Sequence, residues 1–233
     1  MCIRDRALSD RSTEQDVGDL VQYLQDSECL FLCISGEYLV SEVTPATVRE
    51  MKSDRMNQFI QQYVGANKKP HPHNSFPITI IITKYDLCHH RERDEIIADV
   101  KKLFQALFTP NSGWLVMICP VSLGRELCND LDGGQIIPVN SHLPIIFAAY
   151  AQLRAYGLKL KNKRDSQAET IQTIKQKNPL MQLLKASELE HQGKELQACE
   201  TEIATVEENM KLLSQELQQV SLFFNGSEVT ADV

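Results

Sequence analysis

Two short polar strings in this 233-residue chain bring together side chains able to do chemistry. Thr83-Lys84-Tyr85-Asp86 sets a carboxylate two residues beyond an ammonium, directly after the most β-branched run in the sequence, Ile78-Thr79-Ile80-Ile81-Ile82. A carboxylate accepts hydrogen bonds in pairs, and a lysine offers an apolar stem ending in a charge. Pro120-Val121-Ser122-Leu123-Gly124 adds a hydroxyl and turn-forming backbone N–H groups after a second apolar run. Other candidates are poorer. His71, His73 and Cys88-His89-His90 are metal-ligand types, but their spacing matches no structural zinc pattern. Cys128, near Asp130 and Asp132, has no histidine close in sequence to activate it, and Gly133-Gly134 is too short to cradle phosphate.

The elements that must position these strings follow from apolar spacing. Val17, Leu20, Val21 and Leu24 predict a helix. The six-residue apolar run Cys29 to Ile34 predicts a strand buried on both faces, ending at Ser35-Gly36. Residues 44–64 predict a helix, Phe76 to Thr83 a strand, residues 92–108 a helix, Trp114 to Cys119 a third strand, and Pro144 onward another helix. Strands alternating with helices predict an α/β fold with a parallel sheet between two helical layers. Ligands of such sheets bind at the carboxyl ends of the strands, where Ser35-Gly36, Thr83 to Asp86 and Val121 to Gly124 would meet.

Thr83-Lys84-Tyr85-Asp86 resembles the guanine-specificity motif of P-loop GTPases, Asn or Thr followed by Lys, any residue and Asp after a strand. Ser122-Leu123 resembles the family's last nucleotide motif, normally Ser-Ala. Glu28 to Val40 and Val139 to Tyr150 extend the resemblance to bacterial double-GTPase-type proteins of the TRAFAC clade, over residues 16–157. The resemblance implies a P-loop GTPase-like partial domain that binds GTP or GDP. Asp86 would accept from the ring N–H and exocyclic amine of guanine, a pair of donors adenine lacks, so the wrong base would leave it unpaired. Lys84 would lie along the base, Thr83 would tie the loop to neighbouring backbone, Ser122 would steady Asp86, and the Leu123 backbone N–H would meet the guanine carbonyl.

The glycine-rich GxxxxGK[ST] string that cradles phosphates is absent from the sequence. The chain is therefore expected to be the distal, base-recognising part of a parent protein, a regulatory or defence-type GTPase. Mg²⁺ and hydrolysis are expected only of that parent. Met1-Cys2-Ile3-Arg4-Asp5-Arg6 resembles translated adapter sequence, and residues 1–15 are expected to stand apart from the fold. A net charge of −7 argues against a nucleic-acid partner. Seven cysteines without a CxxC pair fit a reducing, cytoplasmic setting, and no apolar run is long enough to span a bilayer.

Beyond residue 157 a helical arm is expected over 158–224, with residues 225–233 as a tail. Leu196, Cys199, Ile203, Val206, Met210, Leu213, Leu217, Val220 and Phe224 step by three and four, the seam of a coiled coil. Lys159 to Lys177 is basic and residues 186–222 are acidic, with Asn178-Pro179 between them. Opposite charge and a breaker predict an antiparallel hairpin, and parallel self-pairing would set Glu202 against Glu207. Phe223-Phe224-Asn225-Gly226 reads as a strand entering a turn. The competing reading is a non-catalytic α/β scaffold carrying a coiled-coil arm for a protein partner.

Overall fold

The computed structural model describes residues 27–66, 75–124, 136–176 and 186–231. The helix predicted over residues 16–24 lies outside them. Strands β1 (Leu30–Ser35), β2 (Phe76–Thr83) and β3 (Trp114–Pro120) form adjacent parallel pairs. The register sets Ser35 beside Thr83 and Ile82 beside Pro120, so the three outgoing loops leave from one edge of the sheet.

Between β1 and β2 the expected single helix is two, α1 (Pro45–Met51) and α2 (Ser53–Ala66). Thr44 starts α1 with a capping box and Pro45 occupies the first turn; Lys52, at φ 53°, ends it. Similarly, the helix expected over 92–108 divides into α3 (Arg93–Leu103) and a 3₁₀ turn (Gln105–Phe108). Buried Asn57 stabilises that break. Its Nδ2 donates to Leu103 O at 2.9 Å, and its Oδ1 accepts from Ala106 N at 3.1 Å. These bonds satisfy backbone groups that the interrupted helix leaves open.

One sheet face presents Leu32, Ile34, Ile78, Ile80, Ile82, Val116 and Ile118, which pack with Met56, Phe59 and Ile60 of α2 and Ile96, Val100 and Leu103 of α3. Burying each such side chain contributes roughly 1.5–3 kcal/mol. On the opposite face Thr79, Leu115, Met117 and Cys119 are buried as well. In β1, however, burial is one-sided, because Phe31 and Cys33 are exposed at the edge of the described sheet.

The sheet is mixed rather than wholly parallel. β4 (Ser221–Phe224) adds antiparallel to β3, and β5 (Ser227–Val229) adds antiparallel to β4. The residues expected to end the arm and form a tail thus complete the sheet. Asn225 and Gly226 turn the hairpin at φ 51° and 81°, the conformation for which Asn-Gly is favoured. Asn225 Oδ1 also accepts from Gly113 N at 2.8 Å, anchoring the turn beside the start of β3.

Contacts divide the described chain into two compact units, residues 27–148 with 216–231, and residues 149–215. The boundary falls inside α4 (Leu143–Lys175), nearer the sheet than the expected position at residue 157. In the second unit α4 and α5 (Ala186–Leu217) form an antiparallel pair. Cys199 Sγ donates to Leu160 O at 3.3 Å, Gln167 Nε2 to Glu195 Oε2 at 3.1 Å, and Lys161 pairs with Glu207 at 2.7 Å. Tyr156 also bonds Glu202. Cys199, Ile203, Val206 and Met210 of the predicted seam are buried, but Leu213 is half-buried and Ser214 takes an interior place beside it. The helix ends at Leu217, so Val220 and Phe224 leave the seam, the latter to join β4. The Asn178-Pro179 break lies outside the described residues.

Candidate functional site

The carboxyl ends of β1 and β2 are joined by a close backbone approach. A Cβ on Gly36 would sit 2.5 Å from Lys84 O, so any larger residue there would displace the loop. Thr83 Oγ1 donates to Ile34 O at 3.2 Å, and Cys88 Sγ donates to Gly36 O at 3.1 Å. Thr83 thus ties its loop to neighbouring backbone. Lys84 adopts the left-handed conformation, φ 52° and ψ 38°, and leads into a 3₁₀ turn over Tyr85–Cys88 that holds Asp86 in its first turn.

Charge at this edge is organised around Glu37. Its Oε1 lies 2.7 Å from Lys84 Nζ and its Oε2 accepts from Ser35 Oγ at 3.2 Å. The Lys84 hydrogen bond, joined by that of Ser35, holds the Glu37 carboxyl below its ordinary value. Asp86 is half-buried, and no hydrogen bond or ion pair among the described residues engages its carboxylate. Its backbone carbonyl instead lies 2.8 Å from His89 Nδ1, from which it accepts when that nitrogen carries the proton.

The β3 loop adjoins this turn. Tyr85 N donates to Val121 O at 3.2 Å and Val121 N donates to Ile82 O at 2.8 Å. Ser122 pairs with Val139, through Val139 N to Ser122 O at 2.9 Å, while Leu123 O accepts from Ile137 N at 3.0 Å. The Ser122 hydroxyl makes no hydrogen bond to Asp86 among the described residues, so the steadying role expected of it is absent from this arrangement. The Leu123 N–H donates to no protein acceptor among them, and its side chain is exposed. Among the described residues, the Asp86 carboxylate and the Leu123 N–H thus stand uncommitted on adjoining loops.

Sequence reasoning missed the residue that pairs with Lys84. Glu37 lies forty-seven positions away, in a segment marked only by its place just after β1 and by the wider resemblance of Glu28 to Val40. It also missed the support behind the β1 loop. Buried Asp99 lies 2.9 Å from both Arg91 Nη2 and Lys102 Nζ. Arg91 further donates to Leu39 O at 2.9 Å and Ser41 O at 3.0 Å, and His90 Nε2 lies 2.9 Å from Val40 O. One polar cluster on α3 and its entry thus fixes the chain that leaves the candidate site.

The remaining chemical readings find little support. His71, His73, Cys128, Asp130, Asp132 and Gly133-Gly134 fall outside the described residues. No metal-ligating cluster of three residues occurs among those described. Burial pushes the Cys88 thiol up and the Cys119 thiol up to about 12, which opposes thiolate chemistry at neutral pH. No described helix is long and apolar enough to cross a membrane. Comparison with protein-family models, curated proteins and solved structures gave no match.

Proposed function

We propose that the α/β unit binds the base of a guanine nucleotide, GTP or GDP, at the carboxyl edge of β1, β2 and β3. The observation that carries this reading is the uncommitted Asp86 carboxylate on a turn tied, through Tyr85 N and Val121 O, to the loop bearing the uncommitted Leu123 N–H. Asp86 accepts from the ring N–H and amine, Leu123 N–H donates to the base carbonyl, and Thr83 holds the loop. The Lys84 stem flanks the base while its ammonium rests on Glu37, and Ser122 shapes the second loop through its pairing with Val139. GxxxxGK[ST] does not occur in the sequence, so the base provides the affinity of this chain. Phosphate, Mg²⁺ and hydrolysis are assigned to a P-loop parent of cytoplasmic, regulatory or defence type.

The second unit is the proposed route to a protein partner. Ser122 pairs with Val139, Asn140 Nδ2 donates to Pro120 O at 3.0 Å, and α4 starts at Leu143, so the candidate loop is continuous with the first turns of an arm helix. The alternative, a non-catalytic scaffold for that arm, draws on the occupation of Lys84 by Glu37.

Competition against a fluorescent GDP decides between them. GDP and GTP are expected to displace the probe well ahead of ADP. Asp86→Asn is expected to lower GDP affinity by about tenfold or more while raising that for xanthosine diphosphate, whose second carbonyl accepts from the new amide. Equal competition by ADP, or unchanged selectivity in Asp86→Asn, leaves the scaffold reading standing.

A further inference from the structure

A cavity of about 190 Å³ opens beside the last residues of β2 and β3. Its walls are Ile82, Ile118 and Pro120 from the strands, Ile96 and Ile97 from α3, and Val220 from the approach to β4. Three of these isoleucines, Ile82, Ile96 and Ile118, are almost fully buried. Lined this way, the space resembles the apolar cavities of about 150 Å³ that accept benzene. Its volume has room for a six-membered ring or a short branched chain.

Four polar side chains, Tyr85, Arg93, Gln219 and Ser221, interrupt the hydrocarbon wall, and two of them, Arg93 and Ser221, meet there. Arg93 Nη2 donates to Ser221 Oγ at 2.7 Å. No acidic side chain among the described residues pairs with that guanidinium, whereas the neighbouring Arg91 has Asp99 and Glu95. Asp94 and Glu95 follow Arg93 in the same turn, but both are exposed. Ser221 is 3% exposed, and its hydroxyl proton goes to no acceptor among the described residues. A buried donor without an acceptor is costly. A guanidinium fork and a hydroxyl proton, side by side at the wall of a mostly apolar cavity, suit an oxyanion, and in so small a space the planar carboxylate of an apolar acid fits best.

We propose that this cavity is a binding site for a small apolar carboxylate. Arg93 and Ser221 take its two oxygens, and Ile96, Ile97 and Ile118 take its hydrocarbon. A ligand of this size excludes a nucleotide, and only Tyr85 lies both here and in the tetrapeptide assigned to guanine. The proposal stands whether or not the guanine reading does.

The test uses the full chain with ¹³C-labelled isoleucine methyl groups, titrated with benzoate and separately with benzyl alcohol. Benzoate is expected to give saturable shifts at Ile96, Ile97 and Ile118. Benzyl alcohol, with the same ring and no charge, is expected to bind at least about tenfold more weakly. Arg93→Gln, a change at an exposed residue, is expected to cut benzoate affinity at least about tenfold while leaving benzyl alcohol unchanged. Ser221→Ala should weaken benzoate alone. Absence of saturable shifts overturns the site. Equal affinity for the two ligands, or benzoate affinity retained in Arg93→Gln, overturns the carboxylate assignment.

Discussion

The Lys84 ammonium lies 2.7 Å from the Glu37 carboxylate, joining the loop after β2 to the loop after β1. Both side chains are more than half exposed, so the pair positions groups rather than holding the fold together. The Lys84 hydrogen bond keeps the Glu37 carboxyl below its usual value. Substituting Lys84→Gln is expected to return it toward that of an ordinary glutamate, and added salt should have the same effect. Carboxyl-detected NMR titration measures this directly. An unchanged Glu37 titration in the variant would show that the two groups do not interact.

Gly36→Ala tests the close approach of the same two loops. The new Cβ would meet Lys84 O at 2.5 Å, and a backbone carbonyl cannot swing aside as a side chain can. The expected cost is about 1–3 kcal/mol in urea unfolding, the range for an overpacked interior. A variant as stable as the parent would mean that the loops separate freely.

Asp99 is the principal buried charge on α3, 1% exposed and held between Arg91 and Lys102. Burial alone raises its pKa, but hydrogen bonds from Lys102, Arg91 and the Val43 backbone outweigh that and leave it lowered. Asp99→Ala is expected to cost about 3 kcal/mol, the low end for breaking a buried pair, because largely buried Arg91 keeps only the exposed Glu95 as an acidic partner. A folded-state pKa below the unfolded one means the unfolded chain binds the proton first. The stabilisation is therefore complete above the unfolded value, about 3.9, and disappears as pH falls through the lower folded value. Urea midpoints followed from neutral pH into that acid range should fall less steeply for Asp99→Asn than for the parent chain.

Gly226→Ala addresses the C-terminal hairpin. The residue has φ 81°, and an added Cβ would come within 2.1 Å of Phe108 O. Strain and overlap together are expected to cost more than the roughly 1 kcal/mol of an ordinary glycine replacement. Hydrogen exchange should report it first in β4 and β5, whose amides lose protection before those of β2. Equal protection across all three strands in the variant would contradict an anchoring role for the turn.

The candidate site was legible in part because its signals are local. The β-branched run before Thr83 predicts β2 with the bounds observed, since short strands buried on both faces need only a run of apolar residues. Thr83, Lys84 and Asp86 fall at its end as expected, and the antiparallel helix pair followed from charge and breaker. Glu37 as partner of Lys84 and Asp99 as support for the β1 loop were not legible. Each depends on which distant backbone arrives beside it, and an isolated acidic residue in sequence has the form of a solvated one.

The amino-acid sequence by itself determined the strands β1, β2 and β3, the polar turns that follow them and the apolar stripe of α5, because a short unbroken apolar run suits an interior strand and a spacing of three and four puts apolar residues on one helix face. Only the tertiary structure decided where those faces end. Val220 and Phe224 continue the seam in sequence, yet the helix stops at Leu217 and Phe224 pairs with Leu115, more than a hundred residues earlier. An open edge of β3 offers unpaired backbone groups to any strand that reaches it, and the Asn225-Gly226 turn lets this one fold back and add a second. That choice is a competition between helix continuation and sheet pairing, and local periodicity carries no information about it.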